Sequence, residues 1–198
     1  MFSSVLRQLL PALRAMVVMT VLVGLAYPLV LTGFAQVAFG DKANGSLVSV
    51  NGKKVGSSLI GQSFDSLPQY FQSRPSAAGD GYDPLASSAS NLGPESPDLL
   101  AAIKERRAAA AKLDGTSPAD VAPDALEASG SGLDPQISPE YADQQINRVA
   151  RVRGMSTAEV RRLVERYTEG RSLGFLGEPG VNVLLLNLAL DRATGTAH

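Results

Sequence analysis

The chain has no cysteine and no tryptophan, and its only histidine is His198, the last residue. Without cysteine, disulfides and thiolate metal sites are excluded. A lone histidine at a terminus, where order is usually lost, removes His triads, His metal clusters and His general-base schemes. Neither a Gly-rich phosphate loop with its lysine nor an aspartyl-phosphate sequence is present, so the usual phosphoryl-transfer parts are missing. With 18 Lys+Arg against 19 Asp+Glu and a formal net charge of −1, there is no basic stripe of the kind a nucleic-acid partner needs. A glycosidase-like carboxylate pair is the remaining enzymatic option. Asp80, Asp83 and Glu95 share one stretch, but no spacing links them, and aromatics are only 6% of the chain, too few for a sugar platform. On these grounds the chain is not an enzyme by itself, and no catalytic or metal-binding residue is assigned.

The other absence is local. Between Arg14 and Asp41, residues 15–40 carry no charge, 26 positions in all. A helix of that length reaches roughly 39 Å and exceeds a hydrocarbon core of about 30 Å, so a tilted transmembrane helix fits. A cleaved signal has a shorter apolar core and a small-x-small site. Gly33-Phe34-Ala35 is a poor one, so the span reads as an uncleaved anchor. Thr20, Gly24, Pro28, Thr32 and Gln36 recur every four residues, a slow spiral of small and polar side chains suited to packing against another membrane helix. Basic residues nearly tie across the span, with Arg7 and Arg14 before it and Lys42, Lys53 and Lys54 after it. The short basic head favours a cytoplasmic N-terminus. The expected organisation is a head at 1–14, a transmembrane helix at 15–40 and one soluble domain, extracytoplasmic, at 41–198.

That domain reads as α+β, with a small antiparallel sheet and about four helices. Leu47–Ile60 predicts a hairpin about Asn51-Gly52, the pair that suits a type I′ turn. A further strand is expected at Gln69–Arg74. Pro75–Pro97 has loop composition, and Asp114–Pro123 reads as a linker. Ser96-Pro97 predicts a helix to about Lys112, with Leu99, Leu100, Ile103 and Ala110 on its apolar face and Glu105, Arg106 and Lys112 on its wet one. A short turn follows at Asp124–Ala128. Ser138-Pro139 opens a helix ending at Gly154. Ser156–Glu159 has capping-box spacing for another, closed at Gly170. Val181–Leu190 is a buried helix capped by Asn182, or a buried strand.

Several runs, read in order, resemble a known family. They are Asn44–Leu47 (NGSL), Gly56–Gln62 (GSSLIGQ), Tyr70–Ala77 (YFQSRPSA), Tyr82–Pro94 (YDPLASSASNLGP), Ala128–Pro139 (ASGSGLDPQISP) and Val181–Asp191 (VNVLLLNLALD). Together they resemble the C subunit of the bacterial Kdp potassium-transporting P-type ATPase, over the anchor and nearly all of the domain. Departures are small. Gln72 and Ser73 stand where the family often has His and Gly, Ser88-Ala89 where it has Gly-Gly, and Glu127 where Thr is common. Thr116–Pro123 is variable in such proteins.

The resemblance implies an accessory subunit of the bacterial inner membrane. Its partners would be a channel-like A subunit that binds potassium, an ATP-hydrolysing B subunit and a small single-span F subunit. ATP and K+ are used by the complex, and no cofactor is assigned to this chain alone. Such subunits serve assembly and activity. They are described as catalytic chaperones that raise the B subunit's affinity for ATP, yet their domain is also placed outside the cytoplasm. The competing reading is an anchored extracytoplasmic adaptor with no pump partner.

Three groups of residues are candidates for contact. Arg74 and Ser76 flank Pro75, which favours extended backbone at Arg74. Projected there, the guanidinium holds a partner's carboxylate in a two-pronged bond, or else an internal one. Ser90 and Asn91 carry polar groups suited to a partner or to fixing the long loop. Ser129-Gly130-Ser131-Gly132 has the composition of an anion nest for nucleotide phosphate, or of a flexible turn.

Overall fold

The computed structural model describes residues 2–65 and 67–195, with backbone alone for residues 2–6. His198 lies outside the described residues. The chain divides into two compact units, Met1–Leu47 and Val48–His198.

The first unit is one helical rod. Helix α1 (Phe2–Met19) runs through a π-helical stretch (Thr20–Ala26) into α2 (Tyr27–Ala38). The wide turns sit directly before Pro28, which has no N–H and whose ring crowds the carbonyl four residues back. The Tyr27 N–H bonds Leu22 O, five residues back, so the ladder changes register where proline would break it. Arg7–Ala38 is long and apolar enough to cross a membrane, and none of it is buried within the chain. A soluble core helix would bury a face. At its end Gln36 and Asn44 pair their amides reciprocally, at 3.3 and 3.1 Å, across the short α3 (Gly40–Ala43).

The second unit is α+β. Strands β1 (Leu47–Val50) and β2 (Lys53–Ser57) form the hairpin. Asn51 and Gly52 at φ 51° and 80° make the expected turn. A second, antiparallel sheet has order β3-β5-β4, from Gln136–Ile137, Gly180–Asn182 and Thr168–Glu169. The fully buried β5 is its centre, with Val181 opposite both Ile137 and Thr168. Helices α5 (Pro139–Arg153), α6 (Thr157–Arg166) and α7 (Val183–Thr194) pack in succession beside it, and α4 (Pro97–Asp114) packs on α5. The core is filled by Phe71, Ile146, Val149, Val160, Val181, Leu186 and Leu190.

The helix starts follow the local chemistry. Ser138 Oγ accepts from Tyr141 N, Ser156 and Glu159 complete the capping box, and Asn182 caps α7 through Leu185 N. Residues 180–182 are strand before the chain turns into helix at Val183.

Elsewhere the structure corrects the sequence reading. Helix α6 ends at Arg166, not Gly170, because the chain pairs at once as β4. Leu100 is exposed, and the semi-buried Arg106 faces inward to donate to Leu126 O at 2.8 Å. Asp114 belongs to buried structure rather than to a linker. Gln69–Arg74 is not a strand. Its backbone is bonded instead by side-chain amides from two helices. Asn187 on α7 accepts from Phe71 N at 2.9 Å and donates to Phe71 O at 3.0 Å. Gln145 on α5 does the same for Gln72, at 2.7 and 3.3 Å.

Candidate functional site: an arginine-lined cleft

Two arginines meet the segment that those amides hold. Arg148, 1% exposed, donates to Asp114 at 2.7 Å, to Tyr70 O at 2.8 Å, to Gln145 Oε1 at 2.6 Å and to Pro68 O. Gln144 binds the other Asp114 oxygen at 2.7 Å. This cluster is closed, and each charged group in it has a partner.

Arg74 is different. It stands just past the amide-bonded residues, where Pro75 keeps the chain extended. Its Nη1 is 3.5 Å from Asp134 Oδ2 and its Nη2 is 3.4 Å from Glu127 O, both long for N–H···O bonds. Its Nε is buried and has no partner among the described residues. The side chain borders an open cavity of about 390 Å³ together with Asp65, Arg106 and Tyr141. Apart from its bond to Leu126 O, Arg106 has no ion pair among the described residues. The Tyr141 hydroxyl, pushed above its usual pKa by burial, makes no hydrogen bond among the described residues and stays protonated as a donor. The cleft therefore gathers donors in excess of acceptors. Asp65 on its wall and Asp134 beside Arg74 carry negative charge. One carboxylate matches this set, because a fork of guanidinium N–H groups accepts it two-pronged. A polyphosphate would meet repulsion from both aspartates.

The other candidates fall elsewhere. Ser76 lines the same cavity, but its hydroxyl braces the loop, donating to Gly132 O at 2.6 Å and accepting from Ala78 N and Tyr82 N. Tyr82 donates to Arg74 O at 2.8 Å, and burial raises its pKa to about 12. Ser90 and Asn91 are exposed and do not line the cavity, and the Asn91 amide folds back to Ala89 O. In Ser129–Gly132, the Gly132 N–H bonds Ser129 O, while Ser131 O accepts from Ser88 N and Ser87 Oγ. Gly132, at φ 67°, lies so close to Ser88 O that a Cβ would stand 2.6 Å away. Gly130 has open space around it. In the rod, Thr20 and Gly24 adjoin within the π stretch, and Pro28, Thr32 and Gln36 follow in α2.

Sequence reasoning missed Arg148, Gln145, Asn187, Arg106 and Tyr141. For α5 a signal existed. Gln145 and Arg148 fall at helical spacing among Ala142, Ile146 and Val149, which are polar positions on an apolar face. Nothing local marked Asn187 or Arg106.

Compared with known proteins, residues 9–192 match the family described as the K+-transporting ATPase, c chain. The chain belongs to that family. It is 58% identical over 191 residues to the potassium-transporting ATPase KdpC subunit of Kineococcus radiotolerans, covering 96% of each chain. It is 56% identical to the KdpC subunit of Sorangium cellulosum, over 95% of this chain and 99% of that one. The figure is 55% for the KdpC subunit of Mycobacterium tuberculosis, over 94% and 98%. As a c chain of a potassium-transporting ATPase it is a membrane-associated subunit, and partner subunits are implied. The c-chain match takes in most of the long apolar helix and the whole arginine-lined cleft.

Proposed function

We propose that this chain is a non-catalytic accessory subunit of a high-affinity, ATP-driven potassium importer, and that the Arg74 cleft receives an acidic side chain of a partner subunit. The observation that carries the docking is the Arg74 guanidinium at the wall of an open cleft, held only by contacts of 3.4 and 3.5 Å and with no partner for its Nε among the described residues. The Nη contacts to its own chain are long, and a partner's carboxylate would supply the short two-pronged bond that they do not. The partners in this reading are a channel-like A subunit, an ATP-hydrolysing B subunit and a small F subunit. The N-terminus lies in the cytoplasm of a bacterial cell and the domain outside the inner membrane. Any gain in the ATP affinity of the B subunit is then transmitted through assembly. Under this reading Ser129–Gly132 is a brace for the long loop rather than a nucleotide nest, and Ser90 and Asn91 add polar contacts at the rim.

The anchor packs against a partner helix along Thr20, Gly24, Pro28, Thr32 and Gln36. A Cβ at Gly24 would meet only Thr20 Cγ2, at 3.7 Å, so this chain itself tolerates bulk there. Gly24→Leu should therefore lower the recovery of partners while membrane insertion stays intact.

The experiment is co-expression of the tagged chain with the large ATPase subunits, detergent extraction and recovery on the tag. Both large subunits should be recovered with the wild type. Recovery of the chain alone, together with full ATP-driven uptake after its deletion, would overturn the reading. Protease cleavage of the domain in intact spheroplasts tests its side of the membrane.

A further inference from the structure

The connection between β4 and β5 takes no part in the cleft. It is a second, ordered hairpin. Ser172 N donates to Leu176 O and Leu176 N to Ser172 O, both at 2.9 Å, and Gly174 N closes on Arg171 O at 3.0 Å. Arg171 and Glu178 clamp the neck through an ion pair at 2.7 Å. On this small frame stand three apolar side chains in water, Leu173 84%, Phe175 68% and Leu176 50% exposed. Leu173 is held at φ 55°, a region that bulky side chains avoid. A turn built only to reverse the chain would place Gly or Asn there. Here a large apolar residue occupies a disfavoured conformation at the apex, which is where function rather than folding selects residues.

The surroundings say what the tip meets. A groove of about 700 Å³ adjoins its base at Gly170 and Pro179, with Glu140, Asp143, Arg161 and Glu165 on its walls. Asp143 and Arg161 pair with each other, which leaves the groove net negative through Glu140 and Glu165. Membrane surfaces are themselves negative and are gripped by Trp, Tyr and free Lys or Arg. Residues 171–178 offer none of these, since their one arginine is paired. The net negative groove fits a basic protein rim better than a negatively charged bilayer surface.

We propose that the 171–178 hairpin is a docking plug. Leu173, Phe175 and Leu176 enter an apolar socket on a larger subunit, and lysine or arginine at the socket's rim faces Glu140 and Glu165. This rests on the subunit reading but not on the Arg74 cleft. A preformed apolar knob loses little conformational freedom on docking and makes an efficient anchor.

The test uses the full tagged chain co-expressed with the large ATPase subunits. Leu173→Asn is the decisive variant, because Asn adopts the left-handed region readily while removing the apolar body. Its melting temperature should equal or exceed that of the wild type, while recovery of the large subunits per chain falls at least about tenfold. The pair Phe175→Ser and Leu176→Ser should act likewise. A photo-crosslinking amino acid in place of Phe175 should label a partner peptide that contains lysine or arginine, and raised salt should weaken recovery. Unchanged recovery in both variants, or crosslinks confined to lipid or to a second copy of this chain, would overturn the plug. If the wild type itself recovers no large subunit, the subunit reading falls and the plug with it.

Discussion

Arg148 and Arg74 lie near the same stretch of backbone and are treated in opposite ways. Arg148 is sealed in the core with Asp114, two carbonyls and Gln145. Arg74, at the edge of that stretch, has among the described residues only long contacts and a buried Nε with no partner. One guanidinium is fully bonded by its own chain and the other only loosely. Under the proposed docking, that difference in bonding separates stabilising structure from a binding surface more sharply than residue type does.

Substitutions can break or sharpen this contrast. The largest effect belongs to Arg148→Ala, which leaves Asp114 charged, buried and unpaired. Denaturant unfolding of the chain in detergent should show a loss of about 3–5 kcal/mol. Asn187→Leu preserves bulk but strips the Phe71 N–H and C=O of their partners, and the same measurement should show about 2–4 kcal/mol. Ser76→Ala removes one hydroxyl that serves three backbone groups and should lose about 1–2 kcal/mol, with faster hydrogen exchange at Ala78 and Tyr82. Arg74→Gln should change stability by less than about 1 kcal/mol, because its own-chain contacts are long and partly exposed. If it unfolds the chain as Arg148→Ala does, the contrast is void.

The smallest effect is a pH dependence. Glu159, exposed in its capping box, has its pKa held below the usual 4.5 by hydrogen bonds from Ser156. A depressed carboxyl pKa contributes stability above the unfolded value, and that contribution fades as pH falls through the folded one. Thermal melts between pH 6 and pH 3 should therefore be flatter for Glu159→Gln than for the wild type.

Features that announce themselves locally were legible in the sequence. The long apolar N-terminal helix, the Asn51-Gly52 turn and the caps at Ser138, Ser156 and Asn182 each depend on residues a few positions apart. Gln69–Arg74 looked like a strand because its backbone does need lateral partners. Those partners are amides of Gln145 and Asn187, far along the chain, which no periodicity links to it. Arg106 looked solvated because helix α4 is weakly patterned, and its inner side is shared between the core at Ile103 and Ala111 and the cavity that Arg106 borders. Arg74 was legible as a candidate from its neighbour Pro75. The incompleteness of its bonding became visible only once Asp134 and Glu127 were in place. The 171–178 hairpin gave no sequence signal, because its apolar tip interrupts no pattern.

The most direct test is to measure Arg74→Gln twice, once for melting of the isolated full chain and once for recovery of the large ATPase subunits on its tag. The account predicts melting within a few degrees of the wild type and a several-fold loss of recovered partner. Wild-type recovery, or a melting point that collapses alongside the recovery, would contradict it.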